Sequence, residues 1–98
     1  MRVPVLLDDL QAVAYLDTGA GVILLGGGWL DKRRRAQLGE PVLSPTQMEI
    51  RGVNTDALMS TSGIAKVELK FCSGSQCRTV LAQGVVCPAW EGDIILSC

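Results

Sequence analysis

The sequence predicts an all-β fold in a single domain spanning residues 1–98, and three observations carry that expectation. Short apolar runs recur about every ten residues, separated by glycine, proline and Asn/Asp clusters, the spacing of strands and turns. Residues 65 to 71 alternate cleanly, with Ala65, Val67, Leu69 and Phe71 on one face and Lys66, Glu68 and Lys70 on the other, as in a half-buried antiparallel strand. A chain of 98 residues, 48% hydrophobic, suffices for one packed core and no more.

Val3 to Leu7 reads as a strand, Asp8-Asp9 as its turn, and Gln11 to Leu16 as a second, central strand. Val22-Ile23-Leu24-Leu25 is a third buried run. Trp29 to Leu38 has helix-forming residues but no amphipathic stripe, and reads as a loop with at most a short helical turn. Its basic run, Lys32-Arg33-Arg34-Arg35, reads as solvated. Gln47 to Val53 is strand-like, Asn54-Thr55-Asp56 supplies turn chemistry, and Ala57-Leu58-Met59 returns as the partner strand. Cys77 to Leu81 pairs back on the alternating strand, Val85-Val86-Cys87 forms another short strand, and Asp93 to Leu96 the last one. Asp93 reads as an ordinary exposed residue at a strand start.

The core is expected to be mostly aliphatic, because the aromatic residues are only Tyr15, Trp29, Phe71 and Trp90. A formal charge of −1, from nine basic and ten acidic residues, does not point to nucleic acid. No run approaches the ~18 apolar residues of a membrane span. The opening Met1-Arg2-Val3-Pro4 lacks the pattern of a signal peptide. The chain has no histidine, which removes Ser-His and Cys-His catalysis, and the spacing of its four cysteines lacks the paired units of a zinc site. Cys72 and Cys77 flank a plausible hairpin turn and either face each other as a disulfide or remain free thiols, free thiols being the commoner state in a reducing compartment.

The most informative stretch is Leu16-Asp17-Thr18-Gly19-Ala20, at the end of an apolar strand. A carboxylate at a tight turn leaving such a strand is costly unless it is hydrogen-bonded or has work to do. Asp-Thr-Gly occurs once in the chain.

With the hairpin before it, the glycine-bearing segment Ile50-Arg51-Gly52-Val53 and the apolar Asp93-Ile94-Ile95-Leu96 near the end, this motif resembles the active-site loop of the retropepsin-like aspartic proteases of retroviruses and retrotransposons. The resemblance spans nearly the whole chain. It implies a small closed β-barrel with one lobe per chain and a flap hairpin, acting as an aspartic endopeptidase. Asp17, Thr18 and Gly19 would form the catalytic loop: Asp17 as the acid–base group, Thr18 hydrogen-bonding across a dimer, Gly19 permitting the turn. Ala20, Gly21, Ile50, Gly52 and Val53 would surround an extended polypeptide substrate, with Val22, Ile23 and Ile94 as further pocket-wall candidates. With one such Asp per chain, the active species would be a homodimer. No metal or organic cofactor is implied.

The family places a glycine and then a helix where this sequence has Ser97-Cys98, so the expected reading is a domain cut from a longer polyprotein and shortened at its C-terminus. The expected location is the cytoplasm or a virus-like particle rather than outside the cell. The rival reading is a peptide-binding or dimerisation module of the same fold that holds its partner without cleaving it.

Overall fold

The computed structural model describes residues 1–17, 22–46, 50–51 and 58–97. Eight strands and one helix follow in order: β1 (Arg2–Leu7), β2 (Leu10–Asp17), β3 (Leu24–Gly26), α1 (Gly27–Arg35), β4 (Ile50–Arg51), β5 (Leu58–Met59), β6 (Gly63–Ser73), β7 (Gln76–Cys87) and β8 (Ile94–Ser97). Six of them close into a barrel in the order β1-β2-β8-β3-β7-β6. The expected all-β barrel is therefore the observed one.

β1 and β2 form a tight hairpin in which Leu7 faces Leu10. Asp8 and Asp9 both take positive φ, 49° and 67°, the backbone that matches the twist of a two-residue hairpin. Asp8 also receives the Glu68 N–H on its carboxylate at 2.9 Å, which fixes the hairpin to β6. The central strand β2 runs antiparallel to β1 and parallel to β8, so Asp17, its last residue, stands beside Ser97.

The barrel interior collects inward positions at period two: Val5 and Leu7 from β1, Ala12 and Ala14 from β2, Ala65, Val67 and Leu69 from β6. The alternation read from residues 65 to 71 is thus the one that packs. Alanines at four of the buried positions leave room for Trp29, which is fully buried. A smaller cluster, Leu24, Val85, Cys87 and Ile95, lies apart from it, with Tyr15, Ile64 and Trp90 packed against it.

Five expectations need correction. The segment after β3 is a helix rather than a loop. Its apolar stripe is only two residues wide, Trp29 and Leu30, too short to show a period, yet burying both is enough to seat it. The basic residues of its last turn also suit the negative end of the helix dipole. The basic run is only partly solvated: Lys32 pairs with Asp93, and Arg33 reaches Asp8 at 3.3 Å while lying over the Trp29 ring. Arg34 hydrogen-bonds the exposed Glu40, which holds that carboxyl below its ordinary value.

Residues 77–81 and 85–87 belong to one strand, β7, paired with β6 from Gln76 to Val86. Gly84, within this strand, marks close packing: a Cβ there would stand 2.9 Å from Leu25. Cys72 and Cys77 are disulfide-bonded across the β6–β7 turn, so the free-thiol state is not the one observed; the register brings them opposite each other. Asp93 is buried rather than exposed. Of the expected hairpin between residues 47 and 59, β4 pairs antiparallel with β5, Ile50 opposite Met59, while residues 47–49 and 52–57, with the expected Asn54-Thr55-Asp56 turn, lie outside the described residues.

Candidate active site

Asp17 reaches its position because β2 is held on both sides. Its neighbours on β8 are in register from Ala14–Ile94 to Asp17–Ser97, so the end of the strand cannot shift without breaking the parallel ladder. Residues alternate along β2: Ala12 and Ala14 point into the core, while Tyr15 and Asp17 share the opposite face. Asp17 is exposed, so the carboxylate expected to be costly in a buried setting stands instead at the barrel surface.

A cleft of about 570 Å³ opens there. Tyr15, Asp17, Trp90, Glu91, Gly92 and Ile95 line it, with Met1 and Leu16 at its side. Met1 is tied in through its carbonyl, which accepts the Leu16 N–H at 2.9 Å. Tyr15 and Trp90 meet edge to face, their ring centroids 5.7 Å apart.

The loop after β7 is carried to this cleft by the start of α1. The first helical amides would lack partners within the helix. Gly27 N–H donates instead to the Trp90 carbonyl at 2.6 Å, and Gly28 N–H to that of Gly92 at 3.1 Å. The approach is so close that a Cβ on Gly26 would stand 2.2 Å from the Gly92 oxygen. The run Gly26-Gly27-Gly28 therefore lets the helix end press on the loop that walls the cleft.

Of the residues expected at the site, Asp17 lies at the cleft. Thr18, Gly19, Ala20 and Gly21 lie outside the described residues, as do Gly52 and Val53. Ile50 is the first residue of β4. Among the expected pocket walls, Val22 and Ile23 are half-buried, and Ile23 packs against the main core. Ile94 is fully buried inside the barrel and cannot wall a cleft; its neighbour Ile95 takes that role. Tyr15, Trp90 and Glu91 were not among the expected site residues. Counting by two back from Asp17 would have found Tyr15, whereas nothing local in the sequence brings the 88–92 loop to Asp17.

Asp93, the carboxylate just before β8, is committed elsewhere. Its Oδ2 accepts Val13 N–H at 2.9 Å and Lys32 Nζ. Val13 lies four residues before Asp17, about 13 Å along the strand. A larger cleft, about 730 Å³, lies among Pro4, Gln11, Val13, Lys32 and Lys70, and Asp17 does not line it. Among the described residues no group of three or more His, Cys, Asp or Glu is placed to hold a metal ion.

No protein-family model matches the sequence, and no curated protein matches it. Among solved structures the chain is similar to EIAV protease, determined in complex with the inhibitor HBY-793. The likeness has a TM-score of 0.65 at 21% identity and covers 99% of this chain and 80% of that one. The fold is that of a retropepsin. Within that fold, Asp17 is the described carboxylate that both follows an apolar central strand and opens onto a cleft.

Proposed function

We propose that the protein is an aspartic endopeptidase that works as a homodimer with one Asp17 from each chain. The observation that carries the reading is the place of Asp17: the last residue of β2, followed in sequence by Thr18-Gly19, beside a cleft on a retropepsin fold.

Amide hydrolysis needs an activated water and a proton for the leaving nitrogen. Two neighbouring carboxylates meet both needs, because both cannot ionise at that distance and they hold one proton between them. One takes a proton from water while the other polarises the carbonyl. The chain carries a single Asp-Thr-Gly and Asp93 is already paired with Lys32, so on this reading the second carboxylate is Asp17 of a second chain related by a two-fold axis. The substrate is an extended polypeptide held like an added strand. Since the similar structure is a retroviral protease, a retroelement polyprotein is its natural substrate.

The test is cleavage of a mixed peptide library from pH 4 to 7, read by mass spectrometry, with Asp17→Ala as control. Asp17-dependent cleavage on the acid side supports the reading. Absence of cleavage by folded, dimeric protein moves the function to a peptide-binding module.

A further inference from the structure

The cleft beside Asp17 is built unlike a plain apolar pocket. Its outer wall is the 88–92 loop, pinned by the amides of Gly27 and Gly28. Trp90 packs close against that loop: a Cβ on Gly92 would stand 2.3 Å from its ring. Tyr15 buttresses it edge to face, with an interplanar angle of 73°. Both rings are half-buried, so each keeps part of its surface for the cleft, and Ile95 adds an aliphatic floor.

Next to Trp90 stands Glu91, exposed and lining the same cleft. Among the described residues Glu91 enters no ion pair, whereas Asp93, two residues on, is held by Lys32. Among the described residues, the charged side chains lining the cleft are both carboxylates, Glu91 and Asp17.

We propose that this cleft selects a basic substrate side chain, arginine or lysine, with Glu91 as its counter-charge. The inference rests on the peptidase reading above and names the substrate class of that same site. An alkyl stem of three or four carbons covers Ile95 and the ring surfaces while keeping its charged end at the rim. Aromatic faces attract a cation as well as an apolar chain. A carboxylate at the rim of a partly desolvated cleft then discriminates a cation from a neutral chain of equal shape, and an acidic chain is repelled. A planar guanidinium matches both the ring face and the carboxylate, so arginine is favoured over lysine.

The experiment uses short peptide pairs identical except for arginine or citrulline at one position, moved through each position in turn. Cleavage is measured as kcat/KM with the unaltered protein, and affinity is measured by calorimetry with Asp17→Asn, which keeps Glu91. At one position the arginine peptide should be preferred about tenfold, the equivalent of one partly desolvated charge contact. That ratio should fall close to one in Glu91→Gln, and in Glu91→Lys the preference should pass to a glutamate peptide. Equal handling of arginine and citrulline at every position overturns the proposal, as does a preference unchanged in Glu91→Gln. Loss of cleavage of every peptide in Glu91→Gln also overturns it, since that would make Glu91 part of the chemistry. Asp17-dependent cleavage without arginine preference leaves the peptidase reading standing and removes only this one. If nothing is cleaved, the calorimetric ratio still decides between selection and its absence.

Discussion

Asp93 Oδ2 receives the ammonium of Lys32 at 2.5 Å and the backbone N–H of Val13 at 2.9 Å, so one carboxylate joins α1, β2 and the start of β8. Its other oxygen faces the first turn of α1, 2.7 Å from where a Gly28 Cβ would lie, at the positive end of the helix dipole. The strand that carries Asp17 and the strand beside it are thereby fixed to the helix that supports the cleft wall.

Asp93→Ala should cost about 3 kcal/mol in urea unfolding, because it strips the partner from a half-buried ammonium and leaves a strand N–H unmet. Asp93→Asn should cost roughly half of that, since an amide oxygen can still accept from Val13. The folded Asn variant should still cleave peptide, as Asp93 stands apart from the reacting groups. Cleavage lost in Asp93→Asn at full fold would return Asp93 to the list of catalytic acids.

Two glycines separate close packing from backbone conformation. Gly26→Ala drives a Cβ against a carbonyl oxygen at 2.2 Å and the Trp90 ring at 2.4 Å, neither of which can move without dislodging the loop. The expected cost is about 3 kcal/mol, at the upper end for overpacking. Gly39→Ala meets nothing within 4 Å and suffers only its φ of +75°, for about 1 kcal/mol. Thermal melts resolve the two, since about 1 kcal/mol moves the Tm of a domain this size by ~4–8 °C. Equal shifts would contradict the close approach of α1 to the 88–92 loop.

Much of the barrel was legible in the sequence: Val3 to Leu7 and Gln11 to Leu16 as apolar runs, and residues 65 to 71 by their period of two, with Ala65, Val67 and Leu69 facing the core and Lys66 and Glu68 facing out. The Asp8-Asp9 turn and the β4–β5 pairing were legible from turn chemistry. The helix was not, because Trp29 and Leu30 alone seat it and its first turn is capped by carbonyls some sixty residues away in the chain. Asp93 misled for a related reason. A buried carboxylate and an exposed one look alike in sequence, and its partner Lys32 lies 61 residues away. At the site, Asp17 announced itself through its local motif, whereas the Trp90–Glu91 wall depends on which loop the barrel closure brings round.

The Cys72–Cys77 bond closes a short loop at the tip of the β6–β7 hairpin. Chain-entropy reasoning for a loop this short allows at most about 2 kcal/mol. The turn at Gly74, with φ +61°, already holds the strands together. The double variant Cys72→Ser/Cys77→Ser should therefore fold and should lose about 1 kcal/mol. Reduction of the native protein should lower the urea midpoint by the same amount and leave the double variant unmoved. A larger loss would show that the hairpin tip depends on the bond for its pairing.

A site with one carboxylate per chain makes a prediction that a self-contained site does not. If wild-type chains are held constant and Asp17→Asn chains are added, mixed dimers carry a single ionisable carboxylate and cannot share a proton. With random pairing, cleavage should fall to about half at equal amounts and to about a tenth at ninefold excess, the fraction of wild-type chains still paired with one another. The Asp17→Asn homodimer itself should lose about 10³-fold or more in rate, the scale expected when a general acid–base group is removed. Specific activity should also rise with protein concentration until dimers saturate, and sedimentation should show the same midpoint. Wild-type activity untouched by a ninefold excess of folded Asp17→Asn chains would mean that each chain works alone, and the two-fold reading of Asp17 would fall.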